Sequence, residues 1–174
     1  LLSRALAAIA PDLAARICSG DAIGTIAWNG TLEDGTVSDA PLAGDATHCL
    51  VFRADGSAVV IETAGLATDT ANGGLDLEMP SGTFMPGDAD GPMLDRAAIT
   101  ALHEDARILR AAFALGSAAA CLDHAIAYSQ DRVQFGKPLS ANQVLRHRMS
   151  RDALALETLR NGITRALAEP AEGA

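Results

Sequence analysis

The sequence predicts an α+β protein, a small β domain of sandwich or barrel type followed by two long antiparallel helices of an incomplete four-helix bundle. Three observations carry this reading. Residues 22–94 break into short apolar runs punctuated by Asp34-Gly35, Asp55-Gly56 and Asn72-Gly73-Gly74, the pattern of strands joined by tight turns. Residues 95–131 and 141–168 instead repeat apolar side chains at helical spacing. The segment between those two stretches gathers Arg132, Phe135, Gly136 and Pro138, a turn carrying a cation and an aromatic ring.

Taken in order, residues 1–19 place Leu2, Leu6, Ile9, Leu13 and Ile17 one helical turn apart. Pro11 lies inside that run, so it either opens a second helix after a break or kinks a single one. Ser19-Gly20-Asp21 ends the segment. Residues 1–21 are expected to be the terminal helix of a helical domain, and a start at Leu1 within that pattern implies a missing N-terminal part. In the β domain, 22–94, the best strands are Ile23 to Trp28, His48 to Phe52 and Ala58 to Glu62, with Gly82 to Met85 a shorter one. Asp55-Gly56 is the most convincing hairpin turn.

The third domain, 95–174, opens with a helix to Asp131, roughly 55 Å long at about 1.5 Å per residue. Its stripe includes Leu109, Phe113, Gly116, Ala119, Ala120 and Ile126, and the small members allow a neighbouring helix to come close. Gly136 and Pro138 stop this helix. Ser140 and Gln143 read as a capping box that starts the next one, which carries Leu145, Met149, Leu156, Leu159 and Ile163 on one face. Two such helices leave apolar faces open and need further helices from this chain or a partner. The tail at 169–174 reads as mobile.

The formal charge of −9 argues against a general nucleic-acid binder. Its distribution is uneven, net −10 through residue 99 and net +1 from residue 100 on, so a phosphate-bearing ligand would favour the C-terminal half. Cys18, Cys49 and Cys121 are odd in number and lack metal-ligand spacing, so they read as small buried apolar residues and no metal site is expected. Neither a signal peptide nor an apolar run of membrane-spanning length is read, and the expected location is the cytoplasm, with no membrane partner.

Arg132 offers a planar fork of donors suited to a pyrophosphate, and Phe135 a flat face for a base. On residue types alone the same segment also reads as a solvated arginine, a core phenylalanine and an ordinary connection. The run Arg132-Val133-Gln134-Phe135-Gly136-Lys137-Pro138-Leu139, with Asn142-Gln143 following, resembles the R-x-x-F-G-(R/K)-x-(I/L)…Q segment of the acyl-CoA dehydrogenase family. Arg107 through Gly116, Leu122-Asp123 and Tyr128 fall at that family's spacing. The resemblance implies an FAD-dependent oxidoreductase of lipid metabolism that removes two hydrogens from an acyl-CoA thioester, with FAD as hydride acceptor. It also implies a homo-oligomer or a pairing with a paralogous acyl-CoA dehydrogenase subunit, in which this segment binds the neighbour's FAD. Arg132 would then hold the pyrophosphate, Phe135 would pack by the adenine, and Gln134 and Gln143 would bond the dinucleotide.

Three elements of that pattern are missing. In one branch of the family a glutamate base immediately precedes the arginine matched by Arg107, and Ala106 stands there. Asp105 is about 100° around the helix from that place, and Glu104 precedes it. The catalytic residue is therefore unassigned. The flavin-facing loop after the first strand is replaced by Trp28-Asn29-Gly30-Thr31, where Trp28 either covers a flavin or packs as a hydrophobic side chain. The glycine-rich segment that holds the adenosine end is not reached. The alternative reading is a non-catalytic scaffold subunit of a heteromeric dehydrogenase. His124 and His147 read as satisfied surface or core histidines.

Overall fold

The computed structural model describes residues 1–70, 80–87 and 90–168. The expected turn at Asn72-Gly73-Gly74 and the tail at 169–174 lie outside the described residues. The architecture is α+β, with small sheets and long helices. It forms two compact units, Leu1–Glu104 and Asp105–Ala174.

In the first unit Pro11 opens a second helix rather than kinking one. Helix α1 spans Leu2–Leu6 and α2 spans Pro11–Ser19, with Pro11 in its first turn, where its missing N–H leaves no helical bond unmade. Gly20, at φ 87°, ends α2 in the left-handed conformation that glycine adopts without steric penalty. Strands β1 (Gly24–Ile26), β3 (His48–Phe52), β4 (Ala58–Glu62) and β7 (Met93–Leu94) form one sheet in the order β1-β3-β4-β7. Strands β2 (Val37–Pro41), β6 (Ser81–Phe84) and β5 (Thr68–Asp69) form a second, in the order β2-β6-β5. The Asp55-Gly56 turn closes the β3–β4 hairpin as the sequence predicts, with Phe52 opposite Ala58 and Gly56 at φ 84°.

Strands β3 and β4 are buried almost throughout, which their unbroken apolar runs require, and alternation divides them between two cores. Cys49, Val51, Val59 and Ile61 join Val37, Ala40 and Phe84 of the second sheet in one cluster. Leu50, Ala58 and Val60 face the other way, packing with Leu2, Leu6 and Ala14 of the N-terminal helices and with Leu94, Ile99 and Leu102. The β region is thus a two-layer sandwich backed by helices. Burying a large side chain such as Leu50 or Phe84 is worth about 1.5–3 kcal/mol.

Helix α3, Arg96–Asp131, starts where Asp95 Oδ1 accepts the Ala98 N–H at 2.8 Å. It begins in the first unit and runs on into the second. It also holds an 18-residue stretch of mean hydropathy 1.3, which by length and composition suits a membrane-crossing helix, a stretch the sequence reading overlooked because His, Asp and Arg interrupt it upstream. Strands β8 (Val133–Gln134) and β9 (Lys137–Pro138) pair as a hairpin, and α4 follows at Gln143–Ala168. Large apolar side chains on both long helices, among them Leu109, Phe113, Leu154 and Leu167, are exposed within this chain.

Candidate cofactor-binding hairpin

The connection between α3 and α4 is more ordered than a plain helix stop. Helix α3 ends at Asp131, ahead of Gly136 and Pro138, with the Arg132 N–H still reaching the Tyr128 carbonyl at 2.9 Å. Val133 then pairs with Pro138 and Gln134 with Lys137, so Phe135 and Gly136 make a two-residue loop. Both have positive φ, 53° and 76°, the twist that a type I′ turn gives a hairpin. Gly136 adopts it freely. Phe135 does so against its Cβ, at a cost of about 1–2 kcal/mol. Its ring is 100% exposed, so the core reading of Phe135 fails and the strained tip carries a bare aromatic face.

The loop is tied back where the Leu139 N–H donates to the Arg132 carbonyl at 2.9 Å. The expected capping box does not form. Ser140 lies within a short 3-10 turn, Leu139–Ala141, and Asn142 takes the position before α4, its carbonyl accepting the Arg146 N–H at 3.2 Å. Sequence spacing could not separate Ser140 from Asn142, since both are good cap residues.

The Arg132 side chain makes no hydrogen bond or ion pair among the described residues, and it is exposed. Gln134 folds its amide onto the Val133 carbonyl at 2.8 Å, and Gln143 meets His147 only at 3.5 Å. These are local contacts that an incoming acceptor or donor replaces at small cost. Arg146, Arg148 and Arg151 occupy exposed positions on α4, adding positive charge to the same unit. A free guanidinium, a bare ring and two carboxamides fit a dinucleotide: fork donors for the diphosphate and a flat face for the base.

The other expected elements sit elsewhere. Ala106 is buried at 6% exposure, Asp105 is half-buried and Glu104 exposed. Trp28 packs as a hydrophobic side chain, its ring 6.1 Å from Phe52 and 5.9 Å from His103, while Phe52 and His103 stack at 5.4 Å. Asn29 bridges Ser38 through both backbone and side chain, and Thr31 caps the Leu32–Asp34 turn. His124 and His147 are exposed.

Comparison with known proteins decides the ancestry. The profile of the acyl-CoA dehydrogenase C-terminal domain matches residues 96–174, which takes in α3, the hairpin and α4. The acyl-CoA dehydrogenase IpdE2 of Mycolicibacterium smegmatis is 33% identical over 138 residues, covering 77% of this chain and 38% of the relative. The chain belongs to the acyl-CoA dehydrogenase family. An acyl-CoA dehydrogenase of Bacillus subtilis is 36% identical over 48% of the chain and 21% of its own length. A glutaryl-CoA dehydrogenase from Mycobacterium smegmatis, solved in complex with FADH2, shares the fold with a TM-score of 0.78 at 19% identity, over 100% of this chain and 55% of that one. The ChsE4-ChsE5 complex from Mycobacterium tuberculosis matches with a TM-score of 0.78 at 23% identity, over 98% and 54%. This acyl-CoA dehydrogenase-family chain therefore spans about half the length of the solved relatives and 38% of IpdE2.

Proposed function

We propose that the chain serves in the α,β-dehydrogenation of an acyl-CoA thioester, its hairpin binding the FAD of a neighbouring subunit. The observation that carries this is the hairpin tip, where Phe135 is fully exposed in a left-handed backbone and Arg132 has no side-chain partner among the described residues. Strain of this kind in an exposed aromatic contributes nothing to the fold of the chain by itself and is retained where a ligand or partner uses it. Bound FAD supplies the hydride acceptor of the reaction.

The chain's own share is recognition. Arg132 neutralises diphosphate charge, Phe135 offers a stacking face, and Gln134 and Gln143 exchange their local bonds for bonds to the dinucleotide. Ala106 takes no proton, so the base comes from outside this stretch or from the partner. The heteromeric assembly of the ChsE4-ChsE5 relative supports a second subunit in that role.

The test is flavin retention. The chain is purified with a full-length acyl-CoA dehydrogenase subunit, and bound flavin is read from its visible absorbance. Arg132→Ala and Phe135→Ala are each expected to lower the flavin retained at least tenfold while the subunits still co-purify. Full retention in both variants overturns the assignment.

A further inference from the structure

A second polar constellation lies in the first unit, on residues the hairpin does not use. His48 opens β3 and pairs across the sheet with Glu62, the last residue of β4. Arg16 on α2 stands close enough to influence the His48 ring, as does Glu62. Two adjoining grooves, of about 460 Å³ and about 530 Å³, share Arg16, His48, Glu62 and Leu66 in their walls.

His48 is only 8% exposed, yet one of its ring nitrogens stays unused. The Ile23 carbonyl already accepts N–H bonds from Thr47 at 2.8 Å and His48 at 3.1 Å. The Thr47 hydroxyl accepts the Ile23 N–H at 3.0 Å, lies 3.1 Å from the Ile23 carbonyl as a donor, and engages His48 Nδ1 at 2.9 Å. The other ring nitrogen, Nε2, has no partner among the described residues. No buried side-chain polar atom is left unsatisfied among the described residues, so this Nε2 is in touch with solvent. Burial first, and the Arg16 charge second, hold His48 below its ordinary pKa, against an opposing pull from Glu62. The ring is therefore neutral at pH 7.

The charges around the groove do not cancel among themselves. Arg16 makes no side-chain ion pair among the described residues, and neither does Glu62. Asp90, the other carboxylate in the wall, already accepts the Gly91 N–H at 2.8 Å. The site is thus lined by the Arg16 guanidinium, the neutral His48 ring and the Glu62 carboxylate, beside an apolar wall of Leu13, Val60, Leu66, Pro86 and Pro92.

We propose that the Arg16–His48–Glu62 groove binds a small zwitterion, an α-amino acid with an aliphatic side chain. Its carboxylate takes the Arg16 fork, its ammonium meets Glu62 beside the His48 ring, and its side chain lies on the Leu13–Leu66 wall. The volume falls within the usual range for small-molecule sites. A simple carboxylate would leave Glu62 opposed by a like charge, and a simple amine would leave Arg16 so.

Isothermal titration of the chain with L-leucine, 4-methylpentanoate and 3-methylbutylamine tests this, and no flavin is involved. L-leucine is expected to bind, and the two half-molecules to bind at least tenfold more weakly. Arg16→Met and Glu62→Gln, both at exposed positions, are expected to weaken L-leucine at least tenfold with unchanged circular dichroism. No heat with L-leucine at millimolar concentration, equal binding of 4-methylpentanoate, or unaltered affinity in both variants each overturns the proposal.

Discussion

Phe135 holds a conformation that most residues avoid, and substitution there separates stability from recognition. Phe135→Asn places Asn-Gly in the two-residue loop, the pair that a type I′ turn favours most. It is expected to raise unfolding free energy by about 1 kcal/mol in urea titration while lowering flavin retention. A second residue-scale contrast lies in the cysteines. Burial pushes the Cys49 thiol up to about 12, whereas Cys18 and Cys121 are exposed. Only a thiolate attacks an alkylating reagent. Mass spectrometry after brief native treatment should therefore show label on Cys18 and Cys121, with Cys49 joining only after unfolding. The sequence reading took all three as buried, because one chain's spacing does not say which turn of a helix faces solvent. Phe135 was legible as a special position but its tip geometry was not, since phenylalanine is no turn former and only Gly136 carried a turn signal.

At the scale of elements, β3 and β4 were readable to the residue. A continuous apolar run on either side of Asp-Gly admits one simple pairing. Strand β2 was not readable. Its sequence Val37-Ser38-Asp39-Ala40-Pro41 is short and mostly polar or small, and the register shifts between Val37 and Ala40, with Asp39 at φ 56°. Such an irregularity removes the period-2 signal on which strand reading depends. Strand β6 matters more than its four residues imply, because Phe84 is fully buried where the two sheets meet. Phe84→Ala is expected to cost about 3–5 kcal/mol, seen as a lower urea midpoint with an unchanged slope. Thr31→Ala, which removes a hydroxyl from an exposed cap, should cost only about 1 kcal/mol.

For the molecule as a whole, pH acts on a few groups with a common sign. His48 is held below its ordinary value of 6.5, mainly by burial, so the unfolded chain takes up a proton first as acid is added. Stability is therefore complete above about pH 6.5 and falls as pH drops through the interval below it. Glu33, held low chiefly by the Ala54 N–H, and Asp34 and Asp55, held low chiefly by the Thr31 and Ser57 hydroxyls, add losses at more acid pH. Urea midpoints should drop as the pH falls below about 6.5, and His48→Gln should flatten that drop. The family was legible from one contiguous segment because its chemistry is local. The Arg16–His48–Glu62 cluster was not, since helix, strand start and strand end bring it together only in three dimensions. Burial of β3 and β4 on both faces has a consequence for how the protein tolerates change. An ordinary amphipathic strand offers every second position to drift, but from Cys49 to Val51 and from Ala58 to Ile61 no side points outward. Genetic variation there is confined to swaps among apolar side chains of similar bulk, and a saturation library should return two short silent blocks flanked by permissive loops.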